Sequence, residues 1–130
     1  MQLINKMEKK LKRSRCALMI MFEVFEEDIL EMRDRKQINV QARMFYNYYL
    51  WKKFNVSHIK IKNYIEGMHH ATSIYLKNKL ETEMKQYDSV QMQWLTFLFF
   101  IDYEDNFNKE WLEQQPAYYT MGKQKGEYKQ

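Results

Sequence analysis

The sequence predicts an all-α protein: a helix-turn-helix bundle with a basic N-terminal helix and an aromatic C-terminal helical extension. Three observations carry this. Only three glycines and one proline occur in 130 residues, too few for the tight turns that a hairpin-rich sheet needs. Met, Lys, Glu and Gln are abundant, and all are favourable in helices. Apolar residues recur at three- and four-residue spacing through most of the chain. Aromatic residues make up 16%, enough for a large core in a chain long enough for one domain.

Residues 1–16 read as a basic leading helix or arm. Lys6, Lys9, Lys10, Lys12, Arg13 and Arg15 accompany Leu3, Met7 and Leu11 at four-residue spacing, which fits an amphipathic helix or an arm that touches phosphates. A helix over 17–33 is expected next. Leu18, Met21, Phe22, Phe25, Ile29 and Met32 share one face, and Glu23, Glu26, Glu27, Asp28 and Glu31 make the other acidic. The basic connector 33–36 leads into a helix over 37–54. There Ile38, Ala42, Phe45 and Tyr49 share a side that Met44, Tyr48 and Trp51 widen. Lys52 and Lys53 end it, where cations complement the helix dipole.

Asn55 and Val56 make a turn, and Ser57 is placed to cap a short helix. In it Ile61, Tyr64 and Ile65 face inward while Lys60 and Lys62 face out. Gly67 takes a positive φ to end that helix. The next begins at His69, with Thr72, Leu76, Leu80, Met84 and Tyr87 on one stripe. Asp88 followed by Gln91 reads as a capping-box-like start for an aromatic helix. Val90, Trp94, Phe97, Leu98 and Ile101 form its face, but Leu95, Phe99 and Phe100 make it apolar nearly all round. Such a helix is buried or docks a partner. A short helix over 107–114, a stop at Pro116 and a mobile tail over 117–130 complete the order. The chain thus divides into 1–16, 17–87, 88–115 and 116–130.

The net charge of +4 permits an anionic partner without requiring one. Cys16 is the one cysteine, so no intramolecular disulfide forms, as suits a reducing, cytoplasmic setting. The apolar run 17–22 is short and has no cleavage pattern, and the block 94–101 is too short to span a bilayer, so no membrane partner is expected. The opening Met and the lack of a tag suggest a complete gene product. The Lys, Asn, Ile and Tyr usage suits an AT-rich genome such as a phage's. There is no G-x-x-x-x-G-K-[ST], G-x-S-x-G or H-E-x-x-H text, and Cys16 and the histidines form no nucleophile pair. No enzymatic activity and no cofactor are expected. His58, His69 and His70 have no cysteine cluster beside them, and adjacent helical histidines point about 100° apart, so no metal site is expected either.

The text over 33–83 carries a resemblance. The basic run 33–36 is followed by Ala42 and Arg43 with Tyr48 and Tyr49, then by Ser57, Ile61, Ile65 and Gly67, then by M-H-H-A-T-S over 68–73. In this order, without gaps, it resembles the C-terminal (domain IV) DNA-binding domain of the bacterial replication initiator DnaA. That family carries a basic run, an A-R-x-x-x-x-Y-L helix, a Ser-started helix with I-G-x-x-F-G-G, and R-D-H-T-T-V. The segment ending D-I-L at 28–30 is similar to the family's linker helix. The resemblance implies a DnaA-like, TrpR-like helix-turn-helix that binds double-stranded DNA, without the initiator's ATPase module, in replication initiation or transcription regulation.

Residue by residue, the resemblance puts Arg35 at the arginine that reaches the minor groove. His70, Ala71 and Thr72 stand at the H-T-T segment that reads bases and phosphates in the major groove. His58 and Ile59 stand where thymine methyls are contacted. Trp51 stands at the phosphate-binding lysine, with Lys52 and Lys53 beside it. Met68, His69 and Ala71 replace the family's arginine, aspartate and first threonine, so the family's nine-base-pair target is not implied; His69 instead adds a donor for phosphate. Read physically, Arg35, Arg43, Lys52, Lys53, Lys60, Lys62, Lys77 and Lys79 can neutralise several phosphates, and Ser57, His69, His70, Thr72 and Ser73 supply polar atoms around the turn. The alternative is a virion or interaction protein that keeps the fold and docks a partner, or a second copy, through Trp94, Phe97, Phe99 and Phe100.

Overall fold

The computed structural model describes residues 2–103, with side chains from residue 6 onward. Within them lie α1 (Gln2–Phe22), α2 (Glu26–Leu30), α3 (Gln37–Phe54), a 3-10 turn (Lys60–Asn63), α4 (His70–Gln86) and α5 (Asp88–Ile101), and no strand. The expected helix over 107–114 and the tail lie outside the described residues.

Helix α1 runs unbroken through the expected boundary at residue 16. Its buried side is Leu11, Ser14, Ala17, Leu18 and Phe22, and Ser14 Oγ donates back to Leu11 O at 2.6 Å. The single helix expected over 17–33 is in fact two. Glu23 turns left-handed, φ 55°, and ends α1. Val24 then dives into the core while Phe25 is 75% exposed. Phe25 N donates to Asp28 Oδ2 and Asp28 N to Phe25 O, so α2 restarts on a reciprocal cap. Its first turn holds Glu26, Glu27 and Asp28, where carboxylates suit the positive end of a helix. Phe25 was expected inside; the break rotates it out.

Helix α3 is the axis of the molecule. Every residue from Ala42 to Leu50 is buried, and α1, α2, α4 and the 3-10 turn all pack on it. Phe45 meets Phe22, Trp94 and Phe97 edge-on at 5.2–5.9 Å, and Tyr49 meets Phe97 at 5.5 Å. Such edge-to-face pairs add to the area they bury. Ile38, expected on the buried side, is 43% exposed. Asn55 adopts φ 56° and ψ 34° with its N–H on Leu50 O, the left-handed cap that asparagine tolerates. Helix α5 starts one residue earlier than a cap at Asp88 would set it: Tyr87 is the N-cap, without a side-chain bond. Val90, Phe97 and Ile101 are buried in the same core as α1 and α3, so α5 is no separate appendage. Lys10 pairs with Asp102 at 2.6 Å, and Arg13 Nη1 donates to Ile101 O at 3.3 Å, tying α1 to the end of α5.

Candidate nucleic-acid interface

The segment between α3 and α4 shapes an exposed tip. Instead of a second α-helix from Ser57, the chain makes one 3-10 turn, closed by Lys60 N and Ile61 N on Ser57 O at 2.9 and 3.1 Å. Ser57 therefore acts through its carbonyl, not as a side-chain cap. Ile61 and Ile65 are fully buried and anchor the turn, while Lys60 and Lys62 point to solvent. Gly67 has φ 86°, and an added Cβ would meet Met32 Cβ at 3.3 Å, so both conformation and space favour glycine there. His69 caps α4 by accepting Ala71 N on Nδ1 at 3.1 Å. Its ring lies 4.4 Å from that of His70.

Ile59, Lys62, Asn63, Gly67, Met68, His69 and His70 line one open groove of about 590 Å³. Ile59 is 67% exposed, and Asn63 joins it although sequence reasoning passed it over. A polar amide directly after the outward-facing Lys60 and Lys62 was the available signal. A backbone bridge brings in a further cation. Met32 N donates to Glu66 O at 2.9 Å and Glu66 N to Leu30 O at 2.7 Å. The connector 33–36 thus leaves α2 beside Gly67, and exposed Arg35 lies three residues, at most about 10 Å of chain, from the bridge. Glu66 is exposed at the same place and opposes an anion there.

Several expected contact residues are occupied elsewhere. Arg43 is 2% exposed. Its Nε donates to Asp28 O at 2.7 Å and its Nη2 to Asp34 O at 2.8 Å, so it is a core staple and cannot reach DNA. Ser73 is fully buried. Its Oγ donates to Asn47 Oδ1 at 2.7 Å, while Asn47 Nδ2 donates to Ser73 O at 3.1 Å. Because the Ser73 hydroxyl has one hydrogen and spends it on Asn47, His58 Nδ1, 2.7 Å away, is the donor in that contact. His58 also stacks on Trp51, ring centroids 5.8 Å apart at 15°. Burial, then the charge of Lys77, hold its pKa below the usual histidine value. Lys77 lies over Trp51 at 4.8 Å and pairs with Glu81 at 3.3 Å. Tyr48 Oη donates to Glu81 at 3.1 Å; burial and that carboxylate push its pKa up to about 12. His58, Ser73 and Lys77 thus belong to a network that locks α4 onto α3.

Lys52, Lys53, Ser57, Ile59, Lys60, Lys62, His69, His70 and Ala71 remain exposed and Thr72 half-buried. Met68, where the resemblance has arginine, is 2% exposed and packs inward. Among the described residues no three His, Cys, Asp or Glu side chains converge as metal ligands, and no helix is long and apolar enough to cross a membrane. The architecture defines the molecule as an all-α bundle around one central helix. No family model, curated protein or solved structure matches this chain.

Proposed function

We propose that the tip around Gly67 binds double-stranded DNA, as a DnaA-like helix-turn-helix without an ATPase, in replication or transcription control. The observation that carries this is the convergence of Ile59, Lys62, Asn63, His69 and His70 on one exposed groove at the start of α4, with Lys60 exposed beside it. The amide of Asn63 and the rings of His69 and His70 offer donors and acceptors of the kind that read base edges. Lys60 and Lys62 supply charge for the phosphates on either side, as Arg35 does from the connector. The first turn of α4 adds the positive end of a helix dipole. Binding alone is the activity; no bond is made or broken.

Fluorescence anisotropy with a random duplex, repeated over a salt series, tests this. Affinity should fall steeply with salt, because each neutralised phosphate contributes about 0.9 to the log-log slope. Replacing Lys60 and Lys62 together by Ala should reduce that slope by about 2 on every sequence, whereas His70→Ala should relax sequence preference. A flat salt response, or no binding at low salt, sinks the proposal.

Docking of a protein partner is the second reading, favoured by the 49%, 44% and 42% exposure of Leu95, Phe99 and Phe100. Of the residues expected on that surface, Phe97 is fully buried, and half-buried Trp94 packs its inner side on Phe45 and Tyr48 at 5.8 and 5.0 Å.

A further inference from the structure

Helix α1 carries its exposed lysines in its N-terminal half, with exposed Glu8 among them, and the acids Glu23 and Glu27 follow its C-terminal end. Lys9, Lys12, Arg13, Cys16, Ala17 and Ile20 fall at i, i+3, i+4, i+7, i+8 and i+11. With Phe100 of α5 and Tyr103 just beyond it they line an open, mainly apolar groove of about 710 Å³. Ile20 is 70% exposed. Lys6, also exposed, extends the cationic end. Beyond the other end, Phe25 projects between exposed Glu23 and Glu27. One end is therefore cationic, the middle apolar, and the far end an aromatic knob in an acidic collar. Contiguous exposed apolar surface with a polar rim is where proteins dock.

We propose that a second copy of this chain covers the groove, α1 pairing antiparallel with α1 about a twofold axis. An isologous contact needs a surface complementary to itself. Antiparallel alignment of a charge-polarised helix provides one, because each cationic end meets the partner's acidic end and does so twice. Setting Glu23, just past the end of α1, against Lys9 puts the axis beside exposed Cys16, a small side chain that lets the helices approach. Phe25 of each copy then reaches the cationic end of the other's groove. Phe100 and Tyr103 flank that end, because Lys10 and Arg13 bind Asp102 and Ile101 there. Opposite charges at both ends favour this alignment over the parallel one, which sets like on like. This pairing does not depend on DNA binding.

Sedimentation equilibrium of the full chain tests it. A species of twice the 16.2 kDa chain mass is expected. Lys9→Glu with Lys12→Glu should weaken it about tenfold or more, and so should Glu23→Lys with Glu27→Lys, since several exposed pairs turn from attraction to repulsion. An equimolar mixture of the two variants should regain wild-type affinity, because each reversed end then meets a reversed partner; a merely misfolded variant would not recover. A short bis-maleimide should join Cys16 to Cys16 across the axis. A monomer at every concentration, as expected if residues beyond Tyr103 or a different protein occupy the groove, overturns the proposal. So does a dimer that ignores both reversals, a mixture that does not recover, or a dimer that Cys16 does not cross-link.

Discussion

His58 shows how one side chain can be placed for contact and spent on structure. Its Nδ1–H is held by Ser73 Oγ and its ring by Trp51, so its cationic form is penalised by burial and by Lys77. In the unfolded chain the same residue protonates near its ordinary pKa of about 6.5. With the folded pKa depressed, the unfolded state takes up a proton that the folded state refuses as pH falls below that value. Stability from this source is complete above about pH 6.5 and declines below it. Chemical denaturation at pH 7 and pH 5 should show a larger loss for the wild type than for His58→Phe, which keeps the stack and removes the titration. Equal losses would mean that His58 is not the group responsible. Neither the Ser73 contact nor the Trp51 stack could be read from the sequence, because both partners are distant along the chain and the resemblance had already given His58 and Ser73 another use.

At the scale of elements, the link from α2 to α3 hangs on Arg43. It gathers the carbonyls of Asp28 and Asp34, and Asp34 in turn accepts Asn39 Nδ2 at 3.0 Å and Lys36 N at 3.1 Å, bonds that hold its carboxyl below the usual carboxylate range. Arg43→Met should cost about 3 kcal/mol in urea denaturation, since it strands the part-buried carbonyls of Asp28 and Asp34. A loss within about 0.5 kcal/mol, the range of ordinary surface changes, together with weakened DNA binding would return Arg43 to the interface. The limits of α3, the outward lysines of the 3-10 turn and the positive φ of Gly67 were legible, because helix ends and glycine turns leave local signals. The break at Glu23 was not: no glycine or proline marks it, and Phe22, Phe25 and Ile29 keep helical spacing across it by coincidence. The burial of Arg43 was equally hidden; with every residue over 42–50 buried, its guanidinium has to find acceptors inside.

For the molecule as a whole, two of the surfaces that carry exposed cations share no residues. One is the tip, with Lys60, Lys62 and Arg35; the other is the outer stripe of α1, with Lys6, Lys9 and Lys12. The basic leading segment expected from composition is a packed helix whose Lys10, Arg13 and Arg15 serve internal contacts, so its remaining cations need another role, and pairing with an acidic partner surface supplies one. A twofold dimer would also carry two tips, as bivalent DNA readers do when their half-sites mirror the protein's symmetry. Which surface meets DNA is decided by following backbone amide chemical shifts of the isotope-labelled chain while a duplex is added at low salt. Shifts concentrated over 57–63, 67–72 and at Arg35, with α1 and α5 unmoved, are the expected result; a silent tip, or shifts centred on Lys6, Lys9 and Lys12, would contradict it.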